Sequence, residues 1–148
     1  MKLKLRLSRE RKDQIVDELN DLGIVVSEES ELILTEENYN AGEIYCKDDT
    51  DRVVVSLSEI VFIESMGKKV YVHTKENVYT TSNRLYEMEK KLPQEQFIRI
   101  SNSVIIGRHS IKRIIPALSQ KYYLTLKSGD KVDVTRTYYY KFKEFYGI

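Results

Sequence analysis

Residues 60–74 read IVFIESMGKKVYVHT and decide how the rest of the chain is interpreted. Mostly β-branched and aromatic residues fill both ends of this stretch, and a glycine and two lysines separate them. Such residues favour strands, and a short polar turn with glycine between two strands is typical of a β-hairpin. We therefore predict strands over Ile60–Glu64 and Val70–Lys75, joined by the turn Met66–Lys69.

The same strand pattern continues on both sides of the hairpin. Short runs of valine, isoleucine, tyrosine and threonine alternate with turn residues, as at 128–130. These runs predict a protein that is mainly β, or α+β when its helices are counted. The further predicted strands are Arg52–Ser56, Val78–Thr81, Phe97–Ser101, Val104–Gly107, Ile111–Ile115, Tyr122–Lys127 and Lys131–Thr135.

Two segments follow helical rather than strand spacing. Residues 83–92 place apolar side chains on one face, and Pro93 stops the helix because proline cannot continue it. Residues 137–146 bring several aromatic side chains to roughly one face. The rings of Tyr139 and Tyr140 cannot both share that face, so at least one should be partly exposed.

The first 47 residues show a separate pattern, in which a strand precedes a helix. Alternating leucines predict a strand over Lys2–Leu7, and Ser8 can cap the next helix by accepting a backbone hydrogen bond. Gly23 tolerates a left-handed backbone and ends this helix. The predicted apolar positions of the helix are Ile15, Val16, Leu19 and Leu22.

A second strand of this unit is predicted at Ile24–Val26 or at Leu32–Thr35. The polar stretch Glu36–Asp51 is interpreted as a linker. A strand-helix-strand unit of this size does not normally fold alone. We therefore expect residues 1–47 to serve in docking or self-association, and residues 48–148 to form the main domain.

The two parts of the chain carry opposite charge, although the overall net charge is only +1. Residues 1–50 contain 7 lysines or arginines against 13 aspartates or glutamates, and residues 51–148 contain 17 against 10. The net charges are therefore −6 and +7. This asymmetry fits either a module that faces nucleic acid beside a unit that phosphate repels, or an uneven solvated surface.

Composition excludes several classes of protein. With 41% hydrophobic and 32% charged residues, the chain should fold around a core and be neither disordered nor membrane-embedded. No stretch approaches the roughly 18 apolar residues that span a bilayer, and no signal-peptide pattern is present. We expect a cytoplasmic protein, in which the single cysteine, Cys46, is a buried small hydrophobic residue.

No arrangement of residues points to a metal, a cofactor or catalysis. The acidic run Asp48–Asp51 is not followed by the glycine and glutamate of an EF-hand loop, and His73 and His109 lack neighbouring ligands at metal-binding spacing. The sequence has no glycine-rich phosphate loop and no nucleophile motif. We expect no enzyme activity, no metal, no cofactor and no small-molecule substrate.

Several segments follow one another along residues 52–148, namely IVFIES with VYVHT (60–74), LYEMEKKLP (85–93), FIRISNSVIIGRHSIKRI (97–114) and LTLKSGDKVDVTR (124–136). In this order they resemble the LytTR DNA-binding domain family of bacterial regulators. Two positions depart from the family pattern, because Gly107 stands where asparagine is usual and Thr135 stands where serine is usual. Thr135 keeps the hydroxyl, whereas Gly107 loses any contact that the amide would make.

The resemblance implies an elongated, mostly antiparallel LytTR-type β domain with two short helices, which binds DNA with loops. The family's contacts come from the turn after the first matched strand, the segment after the first helix and the start of the last helix. Asparagine can pair with adenine or bond a phosphate, arginine can fork onto guanine, and lysine or serine can hold backbone oxygens. The residues at these positions are Lys68, Lys69, Arg99, Ser101, Asn102, Ser103 and Arg136.

Each of these residues also has a structural interpretation. Hairpin lysines are usually solvated, Asn102 suits a turn, and Arg99 suits an ion pair within an alternating strand. Three more basic residues either contact phosphate or solvate an edge strand, and they are Arg108, Lys112 and Arg113. Arg136 has independent physical support, because a cation at a helix N-terminus is unfavourable unless an anion lies beside it.

We therefore predict a sequence-specific DNA-binding transcription regulator that acts at repeated half-sites with a second protomer. The alternative is a protein–protein interaction adaptor, which binding to a protein but not to DNA would favour. The 47 residues before the domain cannot hold a phosphoacceptor receiver, so we expect a stand-alone member of the family. Relatives without a receiver are often restrained by a membrane protein, which makes such an inhibitor a candidate partner.

Overall fold

The computed structural model describes residues 1–7, 9–36 and 42–148. The chain divides into two compact units. Unit 1 contains Met1–Glu43 with Ser56–Ser58, and unit 2 contains Ile44–Val55 with Glu59–Ile148. No described helix has the length and apolar character needed to cross a membrane.

Unit 1 is built on a three-stranded parallel sheet. Its central strand β1 (Lys2–Arg6) lies between β2 (Val25–Val26) and β3 (Ile33–Thr35). The helix α1 (Arg9–Asp21) connects β1 to β2. Leucines from the strand, the segment after it and the helix form the buried core of the unit, namely Leu5, Leu7 and Leu19.

The predicted strand and helix of unit 1 are confirmed, and both alternatives for its second strand form. The prediction for Leu22 is wrong, since its side chain is 74% exposed. The physical reason is that α1 ends at Asp21, so Leu22 lies in the turn before Gly23, whose φ is +74°. The predicted cap residue, Ser8, lies outside the described residues.

The predicted linker is only partly correct. Its second half forms the strand β4 (Glu43–Asp48), which a turn connects to β5 (Asp51–Ser56). Ile44 and Cys46 of β4 point inward while Tyr45 between them is exposed, so the strand has the usual alternation. Residues 37–41, in the first half of the predicted linker, lie outside the described part of the chain.

The main sheet of unit 2 has seven strands in the order β5-β4-β8-β7-β6-β10-β9. Antiparallel pairing joins the hairpin of β6 and β7, and β10 pairs with both β6 and β9. The helix α2 (Leu85–Lys91) connects β8 to β9 and buries Leu85 and Met88. The remaining strands of this sheet are β6 (Ile60–Met66), β7 (Lys69–Thr74), β8 (Val78–Thr81), β9 (Phe97–Arg99) and β10 (Val104–Gly107).

A second, three-stranded antiparallel sheet follows, with β12 in its centre. The chain then makes a single 3-10 turn at Arg136–Tyr138 and ends in the helix α3 (Tyr139–Tyr146). Side chains of both sheets and of α3 share one buried cluster, which includes Ile106, Leu124 and Phe142. The strands of the second sheet are β11 (Ile111–Ala117), β12 (Lys121–Leu126) and β13 (Lys131–Val134).

The sequence-based prediction of a mainly β unit 2 is confirmed strand by strand from Arg52 onward. The largest differences are at element ends: the strand predicted at Phe97–Ser101 stops at Arg99, and the last helix is preceded by a 3-10 turn. Tyr140 is 66% exposed, as expected for one ring of the tyrosine triplet. Cys46 is buried, and burial raises the pKa of its thiol to about 11, so it is a hydrophobic rather than a reactive residue.

Gly107 ends β10 in a space that leaves no room for a side chain. A Cβ placed there would lie 2.8 Å from the Oγ of Ser110 and 3.1 Å from the carbonyl oxygen of Ile60. Both distances are below ordinary van der Waals contact. The space around Gly107 therefore disfavours any larger residue at this position in this chain.

We expect Gly107→Ala to lower the free energy of unfolding by about 1 to 3 kcal/mol, the usual cost of overfilling a packed site. Urea unfolding followed by circular dichroism measures this change. Ser110→Ala removes the nearer of the two atoms, so Gly107→Ala should cost less in that background. A wild-type midpoint for Gly107→Ala would contradict the packing argument.

Candidate nucleic-acid interface

The hairpin turn between β6 and β7 presents two cations to solvent. Met66 pairs with Lys69 across the turn, which leaves Gly67 and Lys68 as its two central residues. Gly67 has φ of +61°, a conformation that glycine adopts without strain. Lys68 and Lys69 are exposed, and neither side chain makes an ion pair with any described residue.

The base of this hairpin is fixed by a stacked histidine. Nε2 of His73 lies 2.8 Å from Oε1 of Glu64 on the neighbouring strand. The imidazole also stacks on the ring of Phe62, with centroids 4.0 Å apart. His73 therefore has structural partners, and the described residues contain no group of three or more potential metal ligands around it.

The turn between β9 and β10 is tight and polar. The N–H of Ile100 donates to the carbonyl oxygen of Val104 at 3.0 Å, and the N–H of Ser103 donates to Oγ of Ser101 at 3.2 Å. Ser101 is buried, whereas Asn102 and Ser103 are exposed. Ser101 therefore shapes the turn, and the next two residues are the ones that a ligand can reach.

Arg136 lies at the start of the last helical segment. It is exposed, and it is the first residue of the 3-10 turn that leads into α3. The preceding Thr135 is extended and forms no side-chain cap. Because the guanidinium has no hydrogen-bond or ion-pair partner in the described part of the chain, it is available to an anion beside the helix start.

Main-chain hydrogen bonds bring these three segments together. The N–H of Ser65, beside the hairpin turn, donates to the carbonyl oxygen of Ser103 at 2.8 Å. The N–H of Thr135, beside Arg136, donates to the carbonyl oxygen of Ile100 at 3.0 Å. We call the three segments the loop surface, which consists of residues 67–69, 101–103 and 135–138.

Two other predicted cations are used inside the protein. Arg99 forms hydrogen bonds to the turn after β9 and an ion pair with Glu89. Arg108 donates from Nε to the carbonyl oxygen of Glu95 at 2.6 Å, and its guanidinium lies 3.9 Å from the ring centroid of Phe145. Lys112 and Arg113 of β11 are exposed, so of the three secondary basic candidates Arg108 alone has a clear structural role.

Residues 51–147 match the family described as the LytTr DNA-binding domain. The chain belongs to the LytTR DNA-binding domain family. The resemblance noted in the sequence is thereby confirmed, and so is the mainly β fold. Within this LytTR domain the net charge is +7, a sign suited to a polyanionic ligand.

Several known bacterial proteins have similar sequences. Sensory transduction protein LytT of Bacillus subtilis is 32% identical over 120 residues, which are 80% of this chain and 50% of that protein. The protein of the same name from Bacillus cereus is 38% identical over 96 residues, 65% of this chain and 39% of that protein. This chain therefore spans no more than half the length of these LytT relatives.

The fold is shared with a solved domain. A LytTr DNA-binding domain from Bacillus cereus is 29% identical and superposes with a TM-score of 0.69. The match covers 72% of this chain and 98% of the solved domain. The matched part of this chain therefore corresponds to nearly the whole of the solved domain.

Sequence reasoning missed two residues that support the loop surface of the LytTR domain. Tyr138 donates its hydroxyl to Oδ1 of Asn102 at 3.4 Å, and Glu89 on α2 pairs with Arg99 at 3.3 Å. Tyr138 belongs to the aromatic pattern predicted for residues 137–146, and no role was predicted for Glu89. The sequence signal that could have drawn attention to Tyr138 is its position two residues after the predicted contact residue Arg136.

Proposed function

We propose that this protein is a sequence-specific transcription regulator that inserts residues of the loop surface into DNA grooves. The LytTR domain supplies the DNA-binding fold. The observation that carries the proposal is the adjacency of three predicted contact segments through the Ser65–Ser103 and Thr135–Ile100 hydrogen bonds. Two of these segments carry exposed cations that pair with no residue in the described part of the chain, and their positive charge suits phosphate.

The residues of the loop surface divide into two chemical roles. Lys68 and Lys69 are point charges on a mobile side chain and suit phosphate oxygens. Asn102 and Arg136 carry planar groups that can form two hydrogen bonds to one base edge, with adenine and guanine as their usual partners. Ser103 can bond a phosphate oxygen. The lysines would therefore position the protein on the DNA backbone, and Asn102 and Arg136 would read the base sequence.

The proposal includes a second protomer on the DNA, bound at an adjacent repeated half-site. It also assigns residues 1–47 to docking or self-association, because phosphate repels their excess of acidic residues. A restraining membrane protein is one candidate for the docking partner. In a titration of a selected duplex at protein concentrations well above the dissociation constant, saturation at two protomers supports the paired arrangement and saturation at one contradicts it.

The test of DNA binding uses the full chain and a duplex selected by the protein from a randomised library. Each phosphate contact contributes about 0.9 to the slope of log affinity against log salt. If Lys68 and Lys69 each contact one phosphate, these two contacts alone should make each protomer bind about tenfold more weakly at about 200 mM salt than at about 50 mM salt. Fluorescence anisotropy at several salt concentrations measures the slope.

The variant that tests the two phosphate contacts is the double substitution Lys68→Ala with Lys69→Ala. It should weaken the binding of all duplexes together and reduce the salt slope by about one unit per lysine. Failure of the library to yield any bound duplex, or equal affinity at both salt concentrations, would contradict the proposed function. Binding to a protein partner with no binding to DNA would favour the adaptor alternative.

A further inference from the structure

The turn that carries Asn102 is closed by the side chain of Arg99. Nε of Arg99 donates to the carbonyl oxygen of Ser101 at 3.0 Å, and Nη2 donates to that of Asn102 at 2.7 Å. Neither carbonyl accepts a main-chain hydrogen bond from the described residues. The guanidinium therefore satisfies two polar groups that the turn itself leaves open.

Two further contacts fix this guanidinium. Nη1 lies 3.3 Å from Oε2 of Glu89, and the side chain of Arg99 is only 17% exposed. Its guanidinium carbon lies 5.9 Å from the ring centroid of Tyr138, within the range of a cation–π contact. Contact with DNA would require Arg99 to give up charge-assisted hydrogen bonds in a partly buried site, where they are stronger than at the surface.

The side chain of Asn102 is held by the same tyrosine. The hydroxyl of Tyr138 donates to Oδ1 of Asn102 at 3.4 Å. One ring therefore contacts both the arginine that closes the turn and the amide that the turn presents. Holding the amide before DNA arrives reduces the conformational entropy lost on binding, and this favours the one arrangement that matches a base edge.

We propose that Arg99, Glu89 and Tyr138 form a positioning group that fixes Asn102 for reading a base, and that Arg99 does not itself contact DNA. The inference rests on the proposed function, because it requires Asn102 to meet a base. It also changes the role predicted for Arg99 from the sequence. A positioning group acts on discrimination between duplexes, whereas a cation on phosphate acts on affinity for all duplexes and on the salt slope.

The experiment compares the full chain on its selected duplex and on a scrambled duplex of equal length and composition. The ratio of the two affinities measures discrimination. Arg99→Lys keeps the charge but loses the fork, so the ratio should fall about tenfold while the salt slope stays the same. Tyr138→Phe removes only a hydroxyl, and the ratio should fall about threefold.

The decisive measurement repeats both substitutions in an Asn102→Ala background. Residues that act through Asn102 cause no further loss of discrimination once its amide is gone. A further loss of the same size would show that Arg99 or Tyr138 acts on DNA directly, and it would overturn the inference. Circular dichroism of each variant is the check that it is folded. Tyr138→Phe should change the structure least, because it removes only a hydroxyl.

Glu89→Gln removes the carboxylate charge that pairs with Arg99, and it therefore distinguishes a positioning role of Arg99 from direct contact with DNA. Without its carboxylate partner, a phosphate-contacting Arg99 would be released, and affinity for both duplexes would rise. A positioning Arg99 would be loosened, and discrimination would fall. If wild type discriminates but all three variants match it, the positioning group is wrong and the proposed function stands; if wild type does not discriminate, both fail.

Discussion

Replacing Phe142 by alanine is expected to lower the free energy of unfolding by about 3 to 5 kcal/mol. The side chain is fully buried on α3, in the cluster shared by both sheets of unit 2. Its ring centroid lies 5.3 Å from that of Tyr122 and 4.9 Å from that of Tyr146. Truncation therefore removes transfer free energy and aromatic contacts together and leaves a cavity between the second sheet and the helix.

The matched control is Lys141→Ala, which truncates an exposed side chain one position earlier on the same helix. Alanine and lysine have similar helix propensity, so this variant should stay within about 0.5 kcal/mol of wild type. Urea unfolding of both variants, followed by circular dichroism, gives the comparison. Similar midpoints for Phe142→Ala and Lys141→Ala would mean that α3 does not complete the core.

Arg136→Ala is expected to weaken binding to the selected duplex by about 1 to 3 kcal/mol and to flatten discrimination at one base position. The guanidinium is exposed and has no partner among the described residues, so stability should be unchanged. Removing a cation from a helix start can even stabilise the free protein slightly, because the helix dipole disfavours positive charge there. Binding and unfolding are therefore expected to respond in different ways.

Two variants sharpen the interpretation of Arg136. Arg136→Lys keeps the charge without the planar fork, so affinity for a scrambled duplex should persist while discrimination falls. Lys12→Ala removes the same charge from the exposed surface of α1 and should leave discrimination intact. An Arg136→Ala protein with wild-type affinity, discrimination and salt slope would remove this residue from the loop surface.

The strands of unit 2 could be predicted because they are short runs rich in β-branched and aromatic residues between turn residues, and some of them also alternate. In β7, Val70 and Val72 are buried while Tyr71 and His73 are partly exposed, as the sequence pattern indicates. β4 was missed because only two inward residues, Ile44 and Cys46, define its pattern, and an acidic turn follows directly. A pattern this short is equally compatible with a polar loop.

The loop surface was predictable only in part. The turn glycine marks where Lys68 and Lys69 lie, and electrostatics at a helix start gives a reason to single out Arg136. The role of Asn102 came from the family resemblance. An ion pair was the structural interpretation of Arg99 from the sequence, and it is confirmed. Its partner could not be foreseen, because Glu89 is ten positions away on another element, and a distance between such side chains is not encoded in local spacing.

The hydrogen bonds from Ser65 to Ser103 and from Thr135 to Ile100 also determine when the loop surface can exist. They join segments that are far apart in the chain, and contacts of this kind form late because loop closure costs entropy first. A nascent chain emerging from the ribosome cannot assemble the loop surface until residues as far as Tyr138 have been synthesised. Under the proposed function, recognition of DNA is therefore acquired only once all three segments have been synthesised and paired.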